Sequence, residues 1–214
     1  MNSKSIVRII EIQIENFKNV NYGDVRLVNY ANVQYRGNIE REDINGIYGQ
    51  NGSGKTMLLD YVAGIRNDQK QRISGNENIV YINQNIFFAD RLTGTDFVKF
   101  VYRLDNKSRE REKFFEFTEK FDIDKKVDVK TLMEKQWGLL SGGERKYLYS
   151  MVLLSLDREW YILDEPFAYL DTEKKEILWK VIEAFASEGK GVILTSHEED
   201  SRINGSDIHV INLD

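Results

Sequence analysis

Apolar and polar positions alternate along the chain in two distinct periods. Ile10, Ile12 and Ile14 are interleaved with Glu11, Gln13 and Glu15, the period of two that a half-buried strand requires. Val25 and Leu27, then Val33 and Tyr35, predict further strands separated by Asn- and Gly-containing turns. Ile44 to Tyr48 is a short apolar run, followed by a glycine-rich stretch and then a helix-like run from Met57 to Ala63, with Gly64 expected as its C-cap. Ile79 to Ile82 predicts a strand, and Thr95 to Met133 reads mostly helical. In that segment Phe114, Phe115, Phe117 and Phe121 fall along one side, a stripe read as core rather than as a ligand box. A helix from Ser141 to about Ser155 leads into the buried strand Trp160-Tyr161-Ile162-Leu163. Thr172 is the expected N-cap of a helix whose stripe is Ile177, Leu178, Val181, Ile182 and Phe185 and which Gly189 ends. Val192 to Leu194 and Ile208 to Leu213 are the last strands. Strands alternating with helices predict an α/β fold: a mainly parallel sheet covered on both faces.

Composition narrows the picture. The 214 residues suit one large domain or one domain with a subdomain, and an apolar fraction of 41% can fill a core. A net charge of −5 gives no general attraction to nucleic acid or to an anionic membrane, so no nucleic-acid partner is favoured. The absence of cysteine excludes disulfides and thiolate metal sites and fits a reducing cytosol. No apolar run approaches 18 residues, so this sequence is not expected to span a bilayer, and its start does not read as a signal peptide.

Three local patterns carry chemistry. Gly49-Gln50-Asn51-Gly52-Ser53-Gly54-Lys55-Thr56 is a G-x-x-x-x-G-K-[ST] phosphate loop between a predicted strand and a predicted helix. Its glycines allow the backbone N–H groups to turn inward on phosphate, Lys55 adds a full charge, and Thr56 offers a hydroxyl to Mg²⁺. The apolar strand before Asp164 and Glu165 ends in two acids: Asp164 suits Mg²⁺, and Glu165 suits polarisation of an attacking water. Pro166, the single proline, stops that strand. Leu140-Ser141-Gly142-Gly143-Glu144 has capping-box spacing with exposed first-turn amides, a second anion-seeking helix start. Since the phosphate loop already cradles one nucleotide, the second start is expected to serve another molecule.

Taken in order, these patterns resemble the ATP-binding-cassette (ABC) ATPases. Gly49 to Thr56 matches the Walker A loop, Gln84 the Q-loop glutamine, Leu140 to Glu144 the LSGGQ signature with Glu for the final Gln, and Ile162 to Glu165 Walker B. Ala168 to Asp171 matches the D-loop, and Thr195-Ser196-His197 the switch histidine. The resemblance implies a P-loop NTPase with ATP and Mg²⁺ as ligands. It implies an antiparallel β layer over residues 1–48, a core over 49–88 and 156–214, and a helical subdomain over 89–155 that ends in the signature helix.

It further implies a head-to-tail dimer, homomeric or heteromeric, with each nucleotide between one subunit's phosphate loop and the other's signature helix. Glu165, His197, Gln84 and Lys55 would then be catalytic. Gly49, Asn51, Gly52, Ser53, Gly54, Lys55, Thr56, Met57, Ser141, Gly142, Gly143 and Asp171 would contact nucleotide, with Tyr22 or Tyr30 stacked on adenine. Thr56, Gln84 and Asp164 would hold or sense the metal. His209 fits no motif.

Two features depart from a transporter pattern: the short stretch from Lys55 to Gln84, and Ile14 to Asn19, which is similar to the opening of chromosome-maintenance and repair ATPases. Those enzymes carry a long coiled-coil insertion that this chain lacks. The expectation is therefore the ATPase subunit of a transporter, at the inner face of the cell membrane. It would meet a separate transmembrane permease through Phe87 to Phe100, with export preferred from the compact form. The alternatives are a soluble ATPase acting on nucleic acid or a protein complex, and a nucleotide-gated scaffold, which intact Lys55, Asp164, Glu165 and His197 speak against.

Overall fold

The protein is described by a computed structural model that covers residues 9–14, 35–40, 44–50, 52–66, 72–74, 78–105, 110–196 and 208–212. The N-terminal alternation forms β1 (Ile9–Ile14), which pairs antiparallel with β2 (Tyr35–Glu40) and with β4 (Arg72–Ser74) in a three-stranded sheet of order β2-β1-β4. The strands expected at Val25, Leu27 and Val33 lie outside the described residues. The second sheet holds β3 (Ile44–Tyr48), β5 (Ile79–Ile82), β6 (Trp160–Leu163), β7 (Gly191–Thr195) and β8 (Ile208–Asn212) in the order β5-β6-β7-β3-β8. Its pairings are parallel throughout.

This topology corrects the expected layer boundaries. β3 lies within 1–48 but pairs with β7 and β8 in the parallel sheet, while β4 lies within 49–88 but joins the antiparallel one. An apolar five-residue run feeding a phosphate loop needs cover on both faces, which only the parallel layer supplies.

Burial along the strands alternates between the two faces of the parallel sheet. Trp160, Ile162, Ile47 and Ile193 pack on one face with Met57, Leu58, Leu59 and Val62 of α1 (Lys55–Val62). Tyr161, Leu163, Val192 and Leu194 pack on the other, with α5 (Gly142–Leu154) and α6 (Thr172–Ser187). All five residues of the expected α6 stripe are buried. The cap of α6 is Asp171 rather than Thr172: the Asp171 carboxylate accepts from the Lys174 amide, and Thr172 is the first helical residue. Gly64 and Gly189 have φ of 73° and 77°, the left-handed turn that lets the chain leave α1 and α6.

The helical segment comprises α2 (Gly94–Leu104), α3 (Glu110–Phe121) and α4 (Val129–Glu134). Phe114 and Phe121 are buried and Phe115 and Phe117 half-buried, so the aromatic stripe is core as expected. Its core is continuous with the face of the sheet covered by α5 and α6, through Phe97, Trp137, Tyr147 and Leu148. Among the described residues no helix is long and apolar enough to cross a membrane.

Gly191 opens β7 directly opposite Trp160, and a Cβ placed there would come 2.1 Å from the indole Cε3. The Trp160 ring is fully buried and rigid, so it cannot give way without moving α1. Gly191→Ala is expected to destabilise the fold by about 1–3 kcal/mol through overpacking. A lower urea midpoint at unchanged slope would show this; an unchanged midpoint would mean that the strand absorbs the methyl group.

Candidate nucleotide and metal site

The parallel strands deliver the chemistry-bearing residues from their C-terminal ends to one edge, the position at which open α/β sheets place ligands. The loop after β3 turns into α1 with Gly49, Gly52 and Gly54 at φ of 153°, 86° and 97°. α1 starts at Lys55 without a side-chain cap, whereas Thr93, Asp128, Ser141 and Asp171 cap α2, α4, α5 and α6. Its first-turn amides are therefore left to an external acceptor, and no acidic side chain occupies that turn. Lys55 is buried, and its Nζ donates to the carbonyls of Gly49 (2.6 Å) and Gln50 (3.1 Å), which draws the ammonium over the loop. Ser53 and Thr56 flank this turn, while the side chain of Met57 packs into the core beneath it.

Across from the loop, Asp164 is 1% exposed and accepts two hydroxyl hydrogen bonds. Thr56 Oγ1 donates to Oδ2 at 2.8 Å and Thr195 Oγ1 to Oδ1 at 2.7 Å. Glu165 follows with φ of 47°, a left-handed conformation that costs a non-glycine residue about 1–3 kcal/mol. Its amide donates to Thr195 Oγ1 at 2.9 Å, and its carboxylate accepts from Gln84 Nε2 at 3.0 Å. The predicted residues Lys55, Thr56, Gln84, Asp164 and Glu165 are thus brought to one edge. Oxygen donors from Thr56 and Asp164 form the hard ligand set that suits Mg²⁺, and the uncapped α1 start suits phosphate. The residues fit both groups.

The signature segment is built as expected. Ser141 caps α5 and accepts from the Glu144 amide at 3.1 Å, while the Glu144 carboxylate accepts from the Ser141 amide at 2.7 Å. The Lys135 ammonium at 2.9 Å, and then the Ser141 amide, hold the Glu144 carboxyl below the usual carboxylate range. A Cβ on Gly142 would meet open space, so the face that it presents is accessible. One on Gly143 would come 2.5 Å from the Tyr169 carbonyl oxygen, so the helix start sits directly on the D-loop. Asp171 has its carboxylate on the Lys174 amide and ammonium, which makes it a helix cap. Asn51, His197, Tyr22 and Tyr30 lie outside the described residues.

Two functional groups escaped the sequence reading. Lys146 is 3% exposed, and its Nζ reaches the carbonyls of Asp164 (3.3 Å) and Asn83 (3.4 Å). Burial lowers its pKa to about 8, against the pull of the Asp164 and Glu165 charges. The available signal was spacing: Lys146 shares a stripe with the buried Ser150 and Leu154 on α5. The other is Thr195, which precedes Ser196 and His197 in the motif and whose hydroxyl bonds the Asp164 carboxylate and the Glu165 amide.

Comparison with known proteins agrees with this geometry. The model of the ABC transporter family matches residues 34–168. A Clostridium tetani protein named as an ABC transporter ATP-binding protein is 28% identical over 177 residues, 76% of this chain and 39% of its own length. A Listeria monocytogenes counterpart is 32% identical over 181 residues, 76% of this chain and 65% of its own length. The chain thus spans less than two thirds of each of these relatives. A dimeric bacterial ABC transporter cassette, MJ0796, superposes with a TM-score of 0.74 at 16% identity, covering 95% of this chain and 94% of its own. That likeness shows the α/β P-loop cassette fold. With the family model matching well over half of the residues, the chain belongs to the ABC transporter ATP-binding family.

Proposed function

We propose that the chain is the ATP-hydrolysing subunit of an ABC transporter, working as a head-to-tail pair that drives a separate membrane subunit. The observation that carries this reading is the Thr56–Asp164–Glu165–Gln84 constellation, which sets a metal-suited acid and a water-activating acid beside an uncapped phosphate loop. Its dimeric form draws support from the dimeric MJ0796 cassette and from the second anion-seeking helix start at Ser141. The opposed subunit's γ-phosphate would give that start its acceptor.

Each residue has a definable task. The amides at the start of α1 take the phosphates, and the Lys55 ammonium neutralises their charge. Thr56 and Asp164 would hold Mg²⁺, which when bound supplies charge neutralisation on the β- and γ-phosphate oxygens. The Glu165 carboxylate orients the attacking water and accepts its proton, and the Gln84 amide keeps that carboxylate in place before substrate arrives. His197 is assigned the γ-phosphate by resemblance, as Tyr22 is assigned adenine.

Phe87 is 89% exposed and Phe100 51%, while Phe88 between them packs on Phe97 and Trp137. That exposed aromatic surface beside the Gln84 segment is the proposed seat of the membrane subunit.

Three variants test this reading. Lys55→Ala is expected to weaken Mg-ATP binding by about 10- to 100-fold, as loss of a charge-assisted contact implies; unchanged affinity in a nucleotide titration would remove the loop from the site. Glu165→Gln is expected to keep nucleotide affinity and lower turnover by about a hundredfold or more. It should also accumulate an ATP-bound dimer on size exclusion, whereas parental turnover would rule Glu165 out as the base. In that background Ser141→Arg is expected to leave a folded monomer, its stability lowered only by the lost α5 cap, about 0.5–2 kcal/mol. Persistence of the dimer would place the nucleotide away from the signature helix.

A further inference from the structure

The sheet ladder between β6 and β7 ends at the pair Leu163 and Leu194. One position further on, where the backbones no longer pair, Thr195 continues the connection with its side chain. Its hydroxyl is fully buried and stands between the two acids. The Glu165 amide can only donate, so at 2.9 Å it must use a lone pair of Thr195 Oγ1. The hydroxyl proton is then directed at Asp164 Oδ1, 2.7 Å away, which accepts it. One oxygen therefore sets both the rotation of the Asp164 carboxylate and the backbone of Glu165.

That backbone needs holding. Glu165 has φ of 47°, a region that a residue with a Cβ leaves unless tied. The bond from its amide to Thr195 is such a tie, and the direction in which the Glu165 side chain leaves the strand depends on it. The opposite Asp164 oxygen takes the Thr56 hydroxyl, so the two threonines fix the carboxylate from both sides.

We propose that Thr195 is a positioning residue for hydrolysis, whose hydroxyl locks Asp164 and Glu165 into one reactive arrangement. The proposal rests on the roles given above to those two acids. It acts through them: Thr195 contacts neither the phosphate loop nor Lys55 in the bonds that the structure assigns to it. Its loss should therefore appear in the rate of the chemical step and leave nucleotide capture intact. A displacement of about 1 Å in a reacting group lowers rates by up to about a hundredfold.

The test compares the parent chain with Thr195→Val, which keeps the shape and removes the hydroxyl, and with Thr195→Ser, which restores it. Steady-state Mg-ATP hydrolysis is measured alongside equilibrium binding of a fluorescent ATP analogue, with thermal unfolding as the check on folding. The expected result is a fall in kcat of about tenfold or more for Thr195→Val, with KM and analogue affinity within about twofold of the parent. Thr195→Ser should recover most of the lost rate. Parental kcat in Thr195→Val would overturn the proposal, as would equal losses in both variants or a loss confined to KM. Should Thr195→Val fail to fold, Thr195→Cys takes its place under the same criteria, because its thiol is a weak donor and acceptor. Hydrolysis by the parent is read first: an inactive parent would defeat the assignment of the acids, whereas an active parent with an unaffected Thr195→Val would defeat only the role of Thr195.

Discussion

A buried carboxylate demands partners, and Asp164 is that constraint here. A polar group almost without solvent is tolerated only when hydrogen bonds replace its water. Asp164 draws them from Thr56 at the first turn of α1 and from Thr195 at the end of β7. Its own amide bonds the Ile82 carbonyl at the end of β5 at 2.8 Å. A strand on each side and the phosphate-loop helix are thereby pinned to one residue. The strand order β5-β6-β7-β3 makes this possible, since it sets β6 between the strand that leads to Gln84 and the strand that carries Thr195.

The acid loop is restrained from the helical side as well. Lys146 on α5 reaches the carbonyls of Asp164 and Asn83, and Gly143 lies against the carbonyl of Tyr169. Tyr169, like Glu165, is a non-glycine residue in the left-handed region, with φ of 66°. Two strained positions on either side of Pro166 mark a turn that its surroundings hold in place. A Cβ on Gly143 would push directly on that turn, so the glycine serves close approach within the subunit, independently of any anion at the helix start. Displacement of α5 relative to the sheet would then reach the acids through contacts already made, without a separate relay.

Local patterns were legible in the sequence because their physics is local. The apolar runs Ile79–Ile82 and Trp160–Leu163 became strands with the expected bounds, since charged or polar neighbours end them sharply. The capping box at Ser141 spans four residues, and the phosphate loop is contiguous. What failed needed information from elsewhere in the fold. Asp171 and Thr172 are both good caps, and only the backbone geometry chooses between them. β4 has three residues and no period, so nothing marked it as a partner of β1. The sheet to which β3 belongs depends on β7 and β8, which enter the chain far later. Thr195 and Asp164 are 31 residues apart, and their contact follows from strand order rather than from any spacing.

The same economy bears on how force would enter the molecule. Phe87 and Phe88 are adjacent, yet one faces solvent and the other packs between Phe97 and Trp137. A protein pressing on Phe87 would therefore load Phe88, and through Phe97 and Trp137 the core beneath α2 and the signature helix. The chain also runs from Phe87 back to Gln84 within three residues, with Gln84 already bonded to Glu165. One surface thus has two short mechanical routes, one to the helix start at Ser141 and one to the acid beside the phosphate loop. In the proposed reading the membrane subunit would sense both with a single contact. Closure of the dimer and release of the Glu165 carboxylate would then move together, because the intervening aromatic packing has little room to deform.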